Sequence, residues 1–312
     1  MDARLQHLTT PDKLRLYFEL WIPNQPKAAI VFVHGLGDHI GRYAEFAKYL
    51  IGKNYALCMY DQRGHGRSGG RKAHCHSFND YLRDLSQVVD MVHASAPGVP
   101  LFLIGHSFGG QVAINFVARY AKGVRGLVAL SPNIEPLIKI PGWKKKLAGK
   151  ISKVLPIIRF YTHAQPSHLS HDEQVVEASR SDPLMHWHVT ARLGTEILKN
   201  LSGIHRLAYK VKVPSIFMHG SEDRICSIEG TRKFYFSLLV QNKEMKIYPG
   251  FYHELLHEVE REKVLVDIGN WLNNQIIAFK RIARADEEGH IYEKEAPDLW
   301  RHVNNDTVDH RT

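Results

Sequence analysis

The chain has 312 residues, of which 44% are hydrophobic and 23% charged, and its formal net charge is +9. This composition is ordinary for a globular protein, and no window contains the roughly 18–20 apolar residues that a membrane-spanning helix needs. The N-terminus has no apolar signal segment and the three cysteines have no CxxC spacing, so we expect a cytoplasmic protein with reduced thiols.

From about residue 28 onward, short apolar runs alternate with longer segments of helical periodicity. An antiparallel hairpin at the sheet edge is predicted for 13–24. Strands are predicted at 28–35, 56–64, 100–107, 124–132, 213–223 and 244–250, and helices at 41–55, 78–97, 109–121, 229–240 and 255–280. Strands that alternate with helices favour right-handed crossovers and a mostly parallel, doubly wound α/β sheet.

Residues 134–205 interrupt this alternation, and we interpret them as a cap inserted over one end of the sheet. The core would then comprise residues 1–133 and 206–280. Residues 281–312 are polar and aperiodic, which predicts a loosely ordered C-terminal tail. Nothing in the sequence indicates an oligomeric state.

The sequence GHSFG at 105–109 follows a predicted strand and precedes a predicted helix. Gly105 and Gly109 would remove the side chains that clash in so sharp a turn. A G-x-S-x-G sequence in this context is typical of a turn that exposes a nucleophilic serine, here Ser107. A structural serine in an ordinary turn is the alternative.

A nucleophilic serine needs a base, and the base needs a group that orients it. Such partners belong on loops after later strands, where Asp223 follows 213–220 and His253 follows 244–250. The order Ser, Asp, His is that expected for this architecture. Glu222 is the local alternative to Asp223, and His257 is the alternative to His253.

Two backbone N–H groups would stabilise the negative charge that develops on the substrate oxygen. One would come from Phe108, directly after the serine. The other would come from HGLG at 34–37, after the strand 28–33, with Leu36 as the candidate donor. The alternative is that this glycine-rich segment only ends the strand.

Four motifs together resemble the monoacylglycerol lipase and lysophospholipase branch of the α/β-hydrolases. They are HGLGDHIGRY at 34–43, YDQRGHGRSGG at 60–70, GHSFGG at 105–110 and GSEDRICS at 220–227. Residues 177–198 are similar to the cap of that family, and the resemblance extends from about residue 13 to residue 275.

The resemblance implies an α/β-hydrolase fold, the triad Ser107, Asp223 and His253, and oxyanion donors at Leu36 and Phe108. It also implies that Asp38 and Arg42 line the end of the site that faces glycerol. Some relatives carry a glycerol-contacting histidine three residues after the catalytic one, where this chain has Leu256. His257, one residue later, is the substitute that we expect to contact substrate.

The segment 142–160 is a predicted basic amphipathic helix. Its apolar face would contain Trp143, Leu147, Ile151, Val154, Leu155 and Ile158, and its other faces Lys144, Lys145, Lys146, Lys150 and Lys153. The lysines could simply be solvated above an apolar face that packs on the core. Alternatively, Trp143, Lys144, Lys145, Lys146 and Lys150 could contact an anionic membrane.

The histidine-rich segments 74–76, 168–172 and 186–188 complete no recognised metal-ligand pattern, and no nucleic-acid recognition motif is present. We therefore expect a serine hydrolase, without metal or other cofactor, that cleaves the ester of a single-chain lipid such as a monoacylglycerol or lysophospholipid. A short-chain carboxylesterase or an acyl thioesterase is the alternative. A non-catalytic ligand- or membrane-binding protein of the same fold is the alternative from another class.

Overall fold

The computed structural model describes residues 4–287 except residues 122, 139 and 163. Its main sheet has eight strands, namely β1 (Arg4–Thr9), β2 (Arg15–Trp21), β3 (Ala29–Val33), β4 (Ala56–Tyr60), β5 (Leu101–His106), β6 (Val124–Leu130), β9 (Ser215–Gly220) and β10 (Lys243–Tyr248). They lie side by side in the order β1-β2-β4-β3-β5-β6-β9-β10. From β4 to β10 all neighbouring strands are parallel. The predicted α/β class is confirmed.

Helices cover both faces of the sheet. They are α1 (Ala44–Gly52), α2 (Phe78–Ser95), α3 (Phe108–Arg119), α7 (Ile228–Phe236) and α8 (Arg261–Glu287). Apolar side chains of α2, α3 and α7 bury one face of the sheet, whereas those of α1 and α8 bury the other. Strands covered on both faces are apolar throughout, as in β3.

Side-chain caps determine where several helices begin. Ser77 accepts from the backbone N–H of Asn79 at the start of α2, and Asp80 completes a capping box there. Thr190 and Ser227 accept in the same way at the start of α6 (Ala191–Leu201) and α7. These caps satisfy N–H groups that the first turn of a helix leaves without a partner.

Within 134–205, the described residues form three α-helices, a 3₁₀ turn at Pro166–His168 and a small sheet beside the carboxyl ends of the main strands. The elements are α4 (Gly142–Val154), β7 (Arg159–Tyr161), α5 (Glu173–Ser181), β8 (His188–Thr190) and α6. β7 and β8 pair antiparallel. A 3₁₀ helix at Ile204–Lys210 leads back to the core.

Several predicted boundaries were wrong. The edge hairpin consists of β1 and β2, so the residues at 13–24 supply only its second strand, and that strand also pairs with β4. The last helix begins at Arg261 rather than residue 255, because a 3₁₀ turn at Leu255–His257 precedes it. It ends at Glu287, so residues 281–287 are helical and not part of a loosely ordered tail. The rest of that expected tail lies outside the described residues.

Two further predictions about helices were wrong. α1 begins at Ala44 because Ile40–Arg42 form a separate 3₁₀ turn. α4 ends at Val154, so Ile158 lies beyond the helix and cannot belong to its apolar face. Within the described part of the chain, none of the helices is both long and apolar enough to cross a membrane.

Candidate active site

Ser107 occupies a strained turn between β5 and α3. Its φ is 52° and its ψ is −117°, a backbone conformation that residues other than glycine rarely adopt. A Cβ atom at Gly109 would lie 2.1 Å from the carbonyl oxygen of Val33, and one at Gly105 would lie 2.6 Å from that of Gly109. Both glycines are therefore needed for the close approach of strand, turn and helix.

Three backbone hydrogen bonds hold the strained residue. Ser107 N donates to Leu130 O at 2.9 Å, which ties the turn to β6. Ser107 O accepts from the N–H groups of Gln111 at 3.1 Å and Asn133 at 2.9 Å. The turn is thus fixed from two neighbouring segments, and the surrounding bonds can offset the cost of the strain.

The structure brings together the three side chains predicted to act as a triad. His253 Nε2 lies 2.8 Å from Ser107 Oγ, and His253 Nδ1 lies 2.8 Å from Asp223 Oδ2. Both distances suit hydrogen bonds in which the hydroxyl donates to Nε2 and Nδ1–H donates to the carboxylate. The arrangement can pass a proton from the serine to the imidazole.

Asp223 has more polar partners than the sequence indicated. Its Oδ1 accepts from the backbone N–H groups of Ile225 and Cys226 at 2.8 and 2.9 Å. His219 Nε2 also lies 3.0 Å from Oδ2, a contact that sequence analysis missed although His219 lies four residues earlier. Burial opposes ionisation of Asp223, but His253 and His219 outweigh it and hold the pKa of this carboxyl well below its usual value.

The same electrostatic balance acts on His253. Burial alone would lower the pKa of the imidazole, but the negative charge of Asp223 outweighs burial and raises it. Glu222, the alternative to Asp223, is exposed, and the alternative His257 contacts Glu254 and Arg42 rather than the serine.

The candidate oxyanion donors lie on either side of the serine. A Cβ atom at Gly35 would lie 3.5 Å from Ser107 Cβ, so the segment 34–37 passes directly beside the nucleophile candidate. Phe108 N is the first amide of α3. Among the described groups, none accepts a hydrogen bond from the amides of Leu36 or Phe108. Two adjacent amides are thus available to an anion.

A cavity of about 670 Å³ opens above Ser107. Ser107, His253, Leu36 and Phe108 lie at its base. Apolar side chains from residues 134–205 form most of its wall, namely Ile138, Ile140, Trp143, Leu147, Ile151, Phe160, Leu169, Val189, Ile197, Leu198 and Leu201. Its shape and lining suit an extended apolar group whose reactive end reaches the serine.

Asp38 and Glu254 form a charged end of this cavity, and Arg42 links them. Arg42 donates to Asp38 Oδ1 at 3.0 Å and to the two oxygens of Glu254 at 2.7 and 2.6 Å. Burial would raise the pKa of both carboxyls, but the guanidinium outweighs burial and holds the pKa of each well below its usual range. Glu254 was missed from the sequence, although it directly follows His253.

Arg42 and His257 take positions that differ from those that the resemblance implied. Neither residue is among the described residues that line the cavity. His257 Nδ1 lies 3.0 Å from Glu254 Oε2, and its Nε2 lies 3.0 Å from the carbonyl oxygen of Arg42. Both side chains therefore support the two carboxylates from behind the cavity wall.

Helix α4 faces the cavity and the solvent. Trp143 lines the cavity and is 65% exposed, while Lys146 and Lys150 are exposed. The side chains of Lys144 and Lys145 lie outside the described part of the structure. The exposure of Trp143 and of Val154, at 78%, shows that the apolar face of α4 is not packed entirely on the core.

Burial keeps four histidines around the site neutral at physiological pH. Burial lowers the pKa of His34 and His106 to about 4 and that of His65 and His186 to about 3. Among residues with a described position, no group of three or more His, Cys, Asp or Glu side chains could hold a metal ion.

Comparison with known proteins identifies the family. The Hydrolase_4 family model, described as "Serine aminopeptidase, S33", matches residues 24–260. The monoglyceride lipase of Rattus norvegicus is 34% identical over 277 residues, which are 87% of this chain and 91% of the relative. The crystal structure of Paleococcus ferrophilus monoacylglycerol lipase is 29% identical, with a TM-score of 0.77, and the match covers 83% of this chain and 99% of that one. The chain therefore belongs to the Hydrolase_4 family, in the monoacylglycerol lipase branch of the α/β-hydrolases, and is a carboxylic ester hydrolase.

Proposed function

We propose that the protein hydrolyses monoacylglycerols through an acyl-enzyme on Ser107. One observation carries the proposal: Ser107 and His253, the latter bonded to Asp223, line a largely apolar cavity of about 670 Å³. A single acyl chain fits the apolar wall, and residues 134–205 would act as the cap that holds it. The similarity to monoglyceride lipases supports the same substrate.

In the first half of the reaction, Ser107 Oγ attacks the ester carbonyl carbon and its proton passes to His253 Nε2. The amides of Leu36 and Phe108 stabilise the resulting oxyanion. Asp223 stabilises the imidazolium through Nδ1. The imidazolium then gives its proton to the leaving glycerol oxygen, and the C–O bond breaks to leave an acyl group on Ser107.

In the second half, water replaces glycerol. His253 takes a proton from the water, whose oxygen attacks the acyl carbonyl carbon. The same two amides stabilise the second oxyanion. Return of the proton to Ser107 Oγ releases the fatty acid, so the cycle consumes one water and uses no cofactor.

The charge at this end of the cavity favours a substrate with a neutral head group. Asp38 and Glu254 are two ionised carboxylates that share one guanidinium, which leaves an excess negative charge. Glycerol hydroxyls can donate to carboxylate oxygens, whereas the phosphate of a lysophospholipid would be repelled. We assign Asp38 and Glu254 to the head group, with Arg42 and His257 holding them in place.

The side chains of α4 favour contact with a membrane surface, where such a substrate resides. Helix α4 carries Trp143 and the exposed lysines Lys146 and Lys150. Lys144 and Lys145 lie between Trp143 and Lys146 in the sequence. Each lysine near an anionic surface contributes up to about 1 kcal/mol. We propose that α4 docks peripherally and brings the cavity mouth to the lipid.

Substrate comparison tests the function. Fatty-acid release from 1-oleoylglycerol should exceed release from lysophosphatidylcholine, lysophosphatidic acid and oleoyl-CoA at equal concentration. Aminoacyl amides should not be cleaved, despite the aminopeptidase description of the family model. A preference for a phosphate-bearing lipid, a thioester or an aminoacyl amide would contradict the proposal.

A further inference from the structure

The two residues that bond to the carbonyl of Ser107 are also bonded to each other. The backbone N–H groups of Gln111 and Asn133 both donate to Ser107 O. In addition, Asn133 Nδ2 donates to Gln111 Oε1 at 3.0 Å. Backbone and side-chain bonds of the same pair thus enclose the carbonyl of the nucleophile candidate.

This polar network continues from α3 to the helix α6. Gln111 Nε2 donates to Asn200 Oδ1 at 2.8 Å, and Asn115 Nδ2 donates to the same oxygen at 3.0 Å. Asn200 Nδ2 donates in return to Asn115 Oδ1 at 2.7 Å. Gln111 and Asn115 are fully buried, so their amides need partners inside the protein. Asn115 is also bonded to the carbonyl oxygen of Gln111 and to Arg119.

The position of α6 determines much of the acyl cavity. Ile197, Leu198 and Leu201 of α6 line it, and Asn133 lines it from the core side. α6 also packs against α4, and Thr195 Oγ1 donates to Ala148 O at 3.4 Å between them. A shift of α6 relative to α3 would therefore move two walls of the cavity.

We propose that Gln111, Asn133 and Asn200 form a positioning network that holds α6 in a fixed position relative to the Ser107 turn and thereby sets how well a long acyl chain fits. Gln111 and Asn200 do not line the cavity, whereas Asn133 does. The network acts through the position of α6, and the backbone bonds to the carbonyl of Ser107 hold its other end. This inference rests on the proposed function in one respect, namely that the natural substrate carries a long acyl chain.

The network makes a specific prediction about acyl-chain length. Removal of Asn200 leaves the buried amides of Gln111 and Asn115 without their partner on α6, and such a loss is unfavourable. We expect an acyl chain of two carbons to end near Ser107 and a chain of sixteen carbons to extend along the α6 wall. Loss of the network should therefore raise KM for the long chain and leave the short chain unaffected.

Two p-nitrophenyl esters, the acetate and the palmitate, test this because they share a leaving group and differ only in the acyl chain. Asn200→Ala should raise KM for the palmitate about tenfold, with kcat and all acetate kinetics within twofold of wild type. Asn200→Asp keeps the size of the side chain but replaces the Nδ2 donor to Asn115 Oδ1 with an acceptor, so it should raise the palmitate KM as well. Lys199→Ala, an exposed neighbour on the same helix, is the matched control.

Gln111→Ala completes a double-mutant cycle. Combined with Asn200→Ala, it should add little to the ratio of palmitate KM to acetate KM, because both changes break the same connection. Equal losses on both esters, additive effects of the two changes, or a wild-type palmitate KM for Asn200→Asp would overturn the proposal. If Asn200→Ala does not fold, Asn200→Ser takes its place in the same comparison.

These esters carry no glycerol, so the outcome is separate from the proposed function. A protein that ignores monoacylglycerols but shows the chain-length effect would retain the network and lose the head-group assignment. The reverse result would retain the lipase proposal and remove the network.

Discussion

His253 Nε2 lies 2.8 Å from Ser107 Oγ, although 146 positions separate the two residues. The sheet accounts for this proximity. Ser107 follows β5, and His253 follows β10, so both loops lie at the carboxyl edge of parallel strands. Asp223 follows β9 and bonds to the other imidazole nitrogen of His253.

Loss of the Asp223 charge should leave binding intact and slow the chemistry. Asp223→Asn removes the carboxylate that stabilises the imidazolium and fixes its tautomer, and kcat should fall about 10⁴-fold. Glu222→Gln, one residue away and exposed, should leave kcat within twofold. Equal kcat values for the two variants would exclude Asp223 from the triad.

The activity should depend on the ionisation of His253. Only the neutral imidazole can accept the proton of Ser107, so kcat/KM should rise with pH through the pKa of His253. Because Asp223 raises that pKa despite burial, the midpoint should lie above the ordinary value of about 6.5. A wild-type midpoint below 6.5 would contradict this electrostatic account.

The Asp223→Asn variant provides the control for that profile. Without the carboxylate, burial dominates, and the residual activity should have a lower midpoint. The comparison is made from full pH profiles of the soluble acetate ester, so that lipid ionisation does not contribute.

Arg42 should contribute strongly to stability because two buried carboxylates depend on it. Arg42→Met should lower the free energy of unfolding by about 3–5 kcal/mol at pH 7, measured in urea. The exposed pair of Arg232 and Glu229 provides a control, and Arg232→Met should cost no more than about 1 kcal/mol. Similar losses for both variants would contradict the proposed role of Arg42.

The Arg42 effect should also depend on pH with a definite sign. The lowered pKa values of Asp38 and Glu254 mean that the wild-type stabilisation is present at neutral pH and is lost as pH falls. In Arg42→Met the unpaired carboxylates are relieved by protonation. The difference between the two proteins should therefore shrink below about pH 4.

Membrane contact through α4 should depend on its lysines. Lys146→Gln with Lys150→Gln should weaken sedimentation with phosphatidylserine vesicles about tenfold at low salt, since each charge contributes up to about 1 kcal/mol. Lys48→Gln with Lys212→Gln removes the same charge elsewhere and should have little effect. If both double variants bind equally, net charge rather than α4 governs the contact.

The motifs and the succession of strands and helices along the chain were predictable because they depend on local sequence. The apolar strand before Ser107, the two glycines of its turn and the position of later loops follow from periodicity and from the steric needs of a sharp turn. Connections across the fold were not predictable in this way. Glu254 bonds to Arg42 across 212 positions, and the Gln111 and Asn200 pair spans 89.

Boundaries failed where tertiary contacts override local preference. The sequence at 255–280 has helical periodicity, but Leu255 and Leu256 are buried in a 3₁₀ turn that positions His253 and His257. Similarly, Ile158 continues the apolar spacing of α4 beyond the residue at which the helix ends. Periodicity alone does not reveal these interruptions.

The central claim is that Ser107 is the nucleophile of an ester hydrolase, and the most direct measurement is fatty-acid release from 1-oleoylglycerol by the wild type and by Ser107→Ala. We predict that the wild type releases oleate and that turnover of the folded variant falls on the order of 10⁶-fold. A fluorophosphonate ester should label Ser107 in the wild type and leave the variant unlabelled. Undiminished hydrolysis by Ser107→Ala would contradict the account.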